Sequence, residues 1–96
     1  MSAFCFFDIL EVIDREKLDE YRMRVRPIVE RFGGRFRGIG GRCDAVEGSW
    51  RPLFPVIIEF PNLSEAHRWY DSDDYRELKT LRQAAVRSNG VFFEGW

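Results

Sequence analysis

Two rhythms of apolar and polar residues alternate along this chain, and each switch marks an element. Residues 3–12, Ala-Phe-Cys-Phe-Phe-Asp-Ile-Leu-Glu-Val, are rich in aromatic and branched side chains and predict a first strand. Beyond it the period lengthens. Leu18, Tyr21, Val25, Ile28, Val29 and Phe32 recur in steps of three and four, which sets them along one stripe of a helix from Arg15 to Phe32. Asp14 stands where an N-cap side chain accepts a free backbone N–H of the first turn. Pro27 lies inside the stripe and predicts a kink or a break near Arg26, because its ring crowds the preceding turn. Gly33-Gly34 ends the helix, since glycine takes the left-handed cap conformation without steric cost.

A short strand follows over Arg35 to Ile39, and Gly40-Gly41 opens a loop that runs to Pro52. Phe54 to Phe60 is a third strand, closed by Pro61, with Glu59 as its one carboxylate. Asn62 or Ser64 caps the next helix, which turns Ala66, Trp69 and Tyr70 inward. Asp71-Ser72-Asp73-Asp74 interrupts it and supplies a fresh cap in Ser72 or Asp73. A longer helix from Asp74 to about Arg87 buries Tyr75, Leu78, Leu81, Ala85 and Val86. Ser88-Asn89-Gly90 reads as a turn and Val91 to Glu94 as the last strand. Strand, helix, strand, strand, helix, strand is the order of an α+β, ferredoxin-like βαββαβ sandwich. Right-handed crossovers place both helices on one face of a four-stranded antiparallel sheet. No linker or repeat divides residues 1–96, so the expectation is a single domain.

Alternation along the strands then assigns two faces. Val56, Ile58 and Phe60 share one face with Cys5, Phe7, Ile9 and Phe36, and the helices are expected to cover it. The open face is left with Phe4, Phe6, Leu10, Ile57 and Phe92, interleaved with Asp8, Glu59, Glu94, Arg35 and Arg37. Five large apolar side chains together exceed what a monomer usually leaves wet. The expected partner is a second copy of the chain, packed sheet to sheet as a homodimer.

Composition sharpens this picture. The chain is 45% hydrophobic and holds nine Phe, generous for 96 residues. Fifteen basic and sixteen acidic residues nearly cancel, which argues against nucleic acid as a partner. Arg22-Met23-Arg24-Val25-Arg26 is basic, but Asp19, Glu20 and Glu30 flank it, as on a solvated helix face. Cys5 and Cys43 match neither a zinc nor a redox spacing. No apolar run approaches the roughly 20 residues of a membrane span, and the start of the chain lacks the marks of a signal peptide. The expectation is a reduced, cytoplasmic protein with no membrane contact.

The chain also resembles the domain-of-unknown-function family 1330, of the dimeric α/β-barrel superfamily. The resemblance rests on Tyr21, Gly33-Gly34-Arg35, Gly40-Gly41, Glu47-Gly48, Pro55 through Phe60, Ala66, Trp69-Tyr70, Ser72, Tyr75, Arg82 and Glu94-Gly95. These span nearly the whole chain in the family's order, and their combination carries the likeness. It implies a ferredoxin-like fold whose sheets pair in a dimer to close a barrel, and it implies no established reaction. The Asp73-Asp74 pair departs from the single acid of the family pattern, which alters a helix cap only.

The residues that invite chemistry are few. Asp8 and Glu59 are the candidate catalytic pair, because neighbouring strands bring two carboxylates into one apolar site, where one pKa rises. Arg35 or Arg37 beside them reverses that effect and makes a structural ion-pair network instead. Arg35, Arg37, Trp50, Glu59 and Arg82 are the candidate ligand-binding residues. They are expected around a small polar cavity bounded by the sheet, loop 42–52 and the second helix. Trp50, on a glycine-flanked loop, suits a cavity mouth, and Arg82 is expected to pair with Glu59 or Glu47. His67, the only histidine, reads as a surface or packing residue. Gly38-Ile39-Gly40-Gly41 precedes no helix and is not a dinucleotide fingerprint. No metal site assembles from these residues, and no cofactor is expected. The reading is a homodimeric domain that binds or acts on a small polar molecule in that cavity without a cofactor. The alternative is a non-catalytic dimeric domain for structure or regulation.

Overall fold

A computed structural model describes residues 1–95. Its elements are β1 (Ala3–Val12), α1 (Arg15–Arg31), β2 (Arg35–Ile39), β3 (Pro55–Phe60), α2 (Leu63–Tyr70), α3 (Asp73–Ala85) and β4 (Val86–Glu94). The strands form one sheet in the order β2-β3-β1-β4, every neighbouring pair antiparallel. This is the ferredoxin-like arrangement, with the second helix divided into α2 and α3.

The caps explain the division. Asp14, Asn62 and Ser72 each accept, through the side chain, a backbone N–H three residues on. Ser72 also donates its hydroxyl to the Trp69 carbonyl at 2.7 Å, so one residue closes α2 and opens α3. Gly33, at φ +80°, takes the left-handed conformation behind α1. Pro27 does not break α1, which runs through it. Pro27 and Met23, one turn earlier, both lie on the solvent side, so the carbonyl that proline leaves without a donor is open to solvent.

Two further expectations need correction. Ser88-Asn89-Gly90 is not a turn. The helix stops at Ala85, and the chain passes directly into β4, whose Ser88, Asn89 and Gly90 pair with Ile9, Asp8 and Phe7. The cross-strand bonds to β1 outweigh the turn preference of these residues. Phe92 and Glu94 also belong to the helix side, not the open face. Phe92 lies opposite Cys5 and Glu94 opposite Ala3, and directly opposed residues share a face. Glu94 escapes the cost of that side because it stands exposed at the strand's end. The open face instead receives Val91 and Phe93, 55% and 51% exposed.

The core lies between the helices and one side of the sheet. Trp69 is its centre, in contact with Phe60, Tyr75, Tyr70, Phe7 and Phe92, with ring centroids 4.3 to 6.5 Å away. Cys5 is fully buried there, and burial pushes its thiol up from an ordinary 9.0 to about 12. Burial raises Tyr75 above its ordinary 10.0 as well, and Tyr21 further still. All three groups are folded in their neutral forms. Their contribution is therefore complete below pH 9 and drains away as pH rises toward the folded values. Unfolding free energies, and with them denaturant midpoints, are expected to fall from pH 9 upward, the free energy by about 1.4 kcal/mol per pH unit for each titrating group. Cys5→Ala should delay the onset to pH 10, where the tyrosines begin. Midpoints that stay flat from pH 8.5 to 11 would show that these groups are not shielded.

Candidate functional site

The candidate residues divide between the two faces of the sheet. On the open face, Glu59 sits opposite Arg35 across the β2–β3 pair and accepts a hydrogen bond from Arg37 Nε at 2.9 Å. Arg37 occupies the bulge between Phe36 and Gly38. Its hydrogen bond, with that of Ser2 and the nearby Arg35 charge, holds the Glu59 carboxyl below the usual range. Glu59 is thus a committed anion with a partner.

Asp8 does different work. It is 4% exposed, and its Oδ1 accepts the backbone N–H groups of Leu53 at 3.0 Å and Phe54 at 2.9 Å. Ile9 N–H adds a bond to the Phe54 carbonyl at 3.0 Å. Asp8 therefore pins the end of the long loop to β1. It does not share a site with Glu59. Asp8 lies opposite Pro55 and Glu59 opposite Phe4, so the two stand four residues apart along the strands, about 13 Å at the rise of a strand. Trp50, 65% exposed, lays its ring edge against Phe6 at 5.7 Å. The loop thus crosses the open face, while α2 covers the other. Among the described residues no cavity joins loop 42–52 to α2, because the sheet lies between them.

Arg82 is on the helix side and pairs with neither Glu59 nor Glu47. Its guanidinium lies 5.0 Å above the Phe7 ring. Nε donates to Tyr75 Oη at 3.3 Å and Nη1 to Ser88 Oγ at 3.1 Å. Tyr75 and Tyr21 join hydroxyls at 2.7 Å, which ties α1 and α3 to the arginine. Burial works against the Arg82 charge, but the tyrosine oxygens outweigh it and its pKa is raised. No carboxylate among the described residues pairs with it.

Arg82 lines a cleft of about 730 Å³ between β4 and the helices α2 and α3. Phe7, Phe92, Tyr70 and Val86 supply apolar walls, and His67, Asp71 and Ser88 polar edges. Gly90 keeps the wall low: a Cβ there would stand 2.6 Å from the Phe7 ring. The His67 ring packs on Phe92 with centroids 5.2 Å apart, so it is both a packing residue and part of the rim. Ser88 is the lining residue that sequence reasoning missed, and the Tyr21–Tyr75 hydroxyl pair supports Arg82 from behind the wall. Both tyrosines fall on apolar helix stripes, and only the depth of their hydroxyls distinguishes them from plain core. Among the described residues no group of three His, Cys, Asp or Glu side chains converges as a metal site would require, and no helix is long and apolar enough to cross a membrane.

A ferredoxin-like domain with a charged cleft under its helices is the class that fold and site define. More particularly, the chain belongs to the family described as Domain of unknown function (DUF1330), whose model matches residues 2–96. No curated protein matches the sequence. Among solved structures, it is similar to RPA0582, a protein of unknown function from Rhodopseudomonas palustris. The TM-score is 0.76 at 20% identity, over 99% of this chain and 82% of that one. A dimeric ferredoxin-like protein of unknown function from Jannaschia sp. CCS1 superposes with a TM-score of 0.73 at 14% identity, over 99% and 100% of the two chains. SnoaB, a cofactor-independent oxygenase from Streptomyces nogalater, follows at a TM-score of 0.58 and 12% identity, over 99% and 91%. At these identities the likeness establishes the fold alone.

Proposed function

We propose that the chain is a homodimer that packs its open sheet faces together, and that each copy binds a small organic molecule in the cleft beside Arg82. The observation that carries the binding reading is the half-buried, charged Arg82 on an accessible apolar cleft, paired with no carboxylate among the described residues. A protein that keeps a cation in such a place has to satisfy it, and a ligand does so at low desolvation cost. Dimeric relatives of the same fold support the association. Glu59, Arg37 and Arg35 then serve the dimer interface, as does Trp50 where it lies on Phe6. They are not the ligand-binding set, because the sheet stands between them and the cleft. No catalytic role is assigned to Asp8, which is consumed in anchoring the loop.

A fragment library screened by amide chemical shifts on 15N-labelled protein tests the binding reading. Perturbations are expected at Tyr70, Ser88 and Gly90. A screen whose hits perturb only Phe6, Ile57 and Glu59 would move the site to the open face, and a screen without hits at either place would remove it.

A further inference from the structure

We infer that the cleft takes a small monocarboxylate with an apolar body, held by the Arg82 guanidinium as a two-pronged anchor. The inference rests on the cleft being the ligand site and names the class of ligand. Charge bookkeeping among the residues around the cleft gives the sign. Asp71 is compensated by Lys79 at 3.9 Å, and Arg87 by Glu11 at 3.3 Å. Arg82 alone is left over, so the complement is a single negative charge.

Geometry gives the kind of anion. Nε and Nη1 each donate one bond, to Tyr75 and Ser88. A guanidinium has five N–H donors in a planar fork, so Nη2 and the second N–H of Nη1 have no partner among the described residues. Of these three free N–H groups, one on Nη1 and one on Nη2 match the two oxygens of a carboxylate. The fork is held from several sides. It lies on the Phe7 ring and is bonded on one side through Tyr75 to Tyr21 and on the other to Ser88. This fixed posture lowers the ordering cost of binding. A dianionic phosphate ordinarily recruits more cations or backbone N–H groups than one arginine supplies. The remaining walls, Phe7, Phe92, Leu63 and Val86, suit a hydrocarbon or aromatic body.

Phenylacetate and its neutral isostere phenylacetamide, titrated into the 15N-labelled full chain, test this directly. Phenylacetate is expected to move the Ser88, Gly90 and Phe92 amides with a Kd on the order of 1 mM, and phenylacetamide to bind about tenfold more weakly. Arg82→Lys keeps the charge but loses the fork, and is expected to weaken phenylacetate about tenfold while leaving phenylacetamide unchanged. Its far-UV circular dichroism guards against misfolding. Equal binding of the two probes at these amides overturns the carboxylate assignment and leaves the cleft as the site. Stronger shifts from inorganic phosphate at the same amides also overturn the assignment. If no probe moves them, the cleft reading falls along with it.

Discussion

Trp69→Ala is expected to remove about 3–5 kcal/mol of folding stability, the range for truncating a large buried aromatic. Small domains hold only about 5–15 kcal/mol in total, so this one change takes much of the reserve. The cause is position. Trp69 has no exposed surface and touches rings from β1, β3, α3 and β4. Its removal leaves a void where both layers meet, and neither the short α2 nor the paired strands can move far enough to fill it. Its indole Nε1 is a buried donor without a partner among the described residues, so the stabilisation comes from packing. Urea unfolding measures the loss. A change under about 1 kcal/mol would mean that the core does not depend on this side chain.

Phe93→Asp is expected to raise the dimer dissociation constant more than about a hundredfold, through lost apolar burial on both copies. Phe93 is half exposed and stacks on Phe4 with centroids 5.6 Å apart. With Phe6, Ile57 and Val91 it makes an apolar strip across the open face. A carboxylate in that strip must also be stripped of water to pair the sheets. Light scattering should report twice 11.4 kDa for the natural chain and 11.4 kDa for the variant at micromolar concentration. Far-UV circular dichroism should be unchanged, because the residue is outside the helix-side core. A natural chain that already weighs 11.4 kDa would remove the dimer, and a dimeric variant would place the interface elsewhere.

Much of the fold is legible in the residue pattern because local physics writes it. The stripe from Leu18 to Phe32, the caps at Asp14 and Ser72, and the run from Phe54 to Phe60 are consequences of period and capping that hold before any long-range contact forms. β4 is the exception. Ser88-Asn89-Gly90 carries the local signature of a turn, but β1 offers a full ladder of backbone partners and draws the segment into the sheet. That pairing also sets which side chains face the helices. Placing Glu94 away from the core by its charge reversed the whole strand, since one residue of register exchanges the two faces.

The candidate site depended on such long-range choices. From its own chain this protein determined its ferredoxin-like element order, its helix-side core and an apolar second sheet face, because each follows from periodicity and burial. Only the tertiary structure decided that Asp8 and Glu59 stand apart, that Glu59 closes on Arg37, and that Arg82 lies across the sheet from both. The reason is physical. Strand register and the crossing of the loop over one face are set by pairings between residues distant in sequence, and a charge finds its partner, or is left without one, only after those pairings are made.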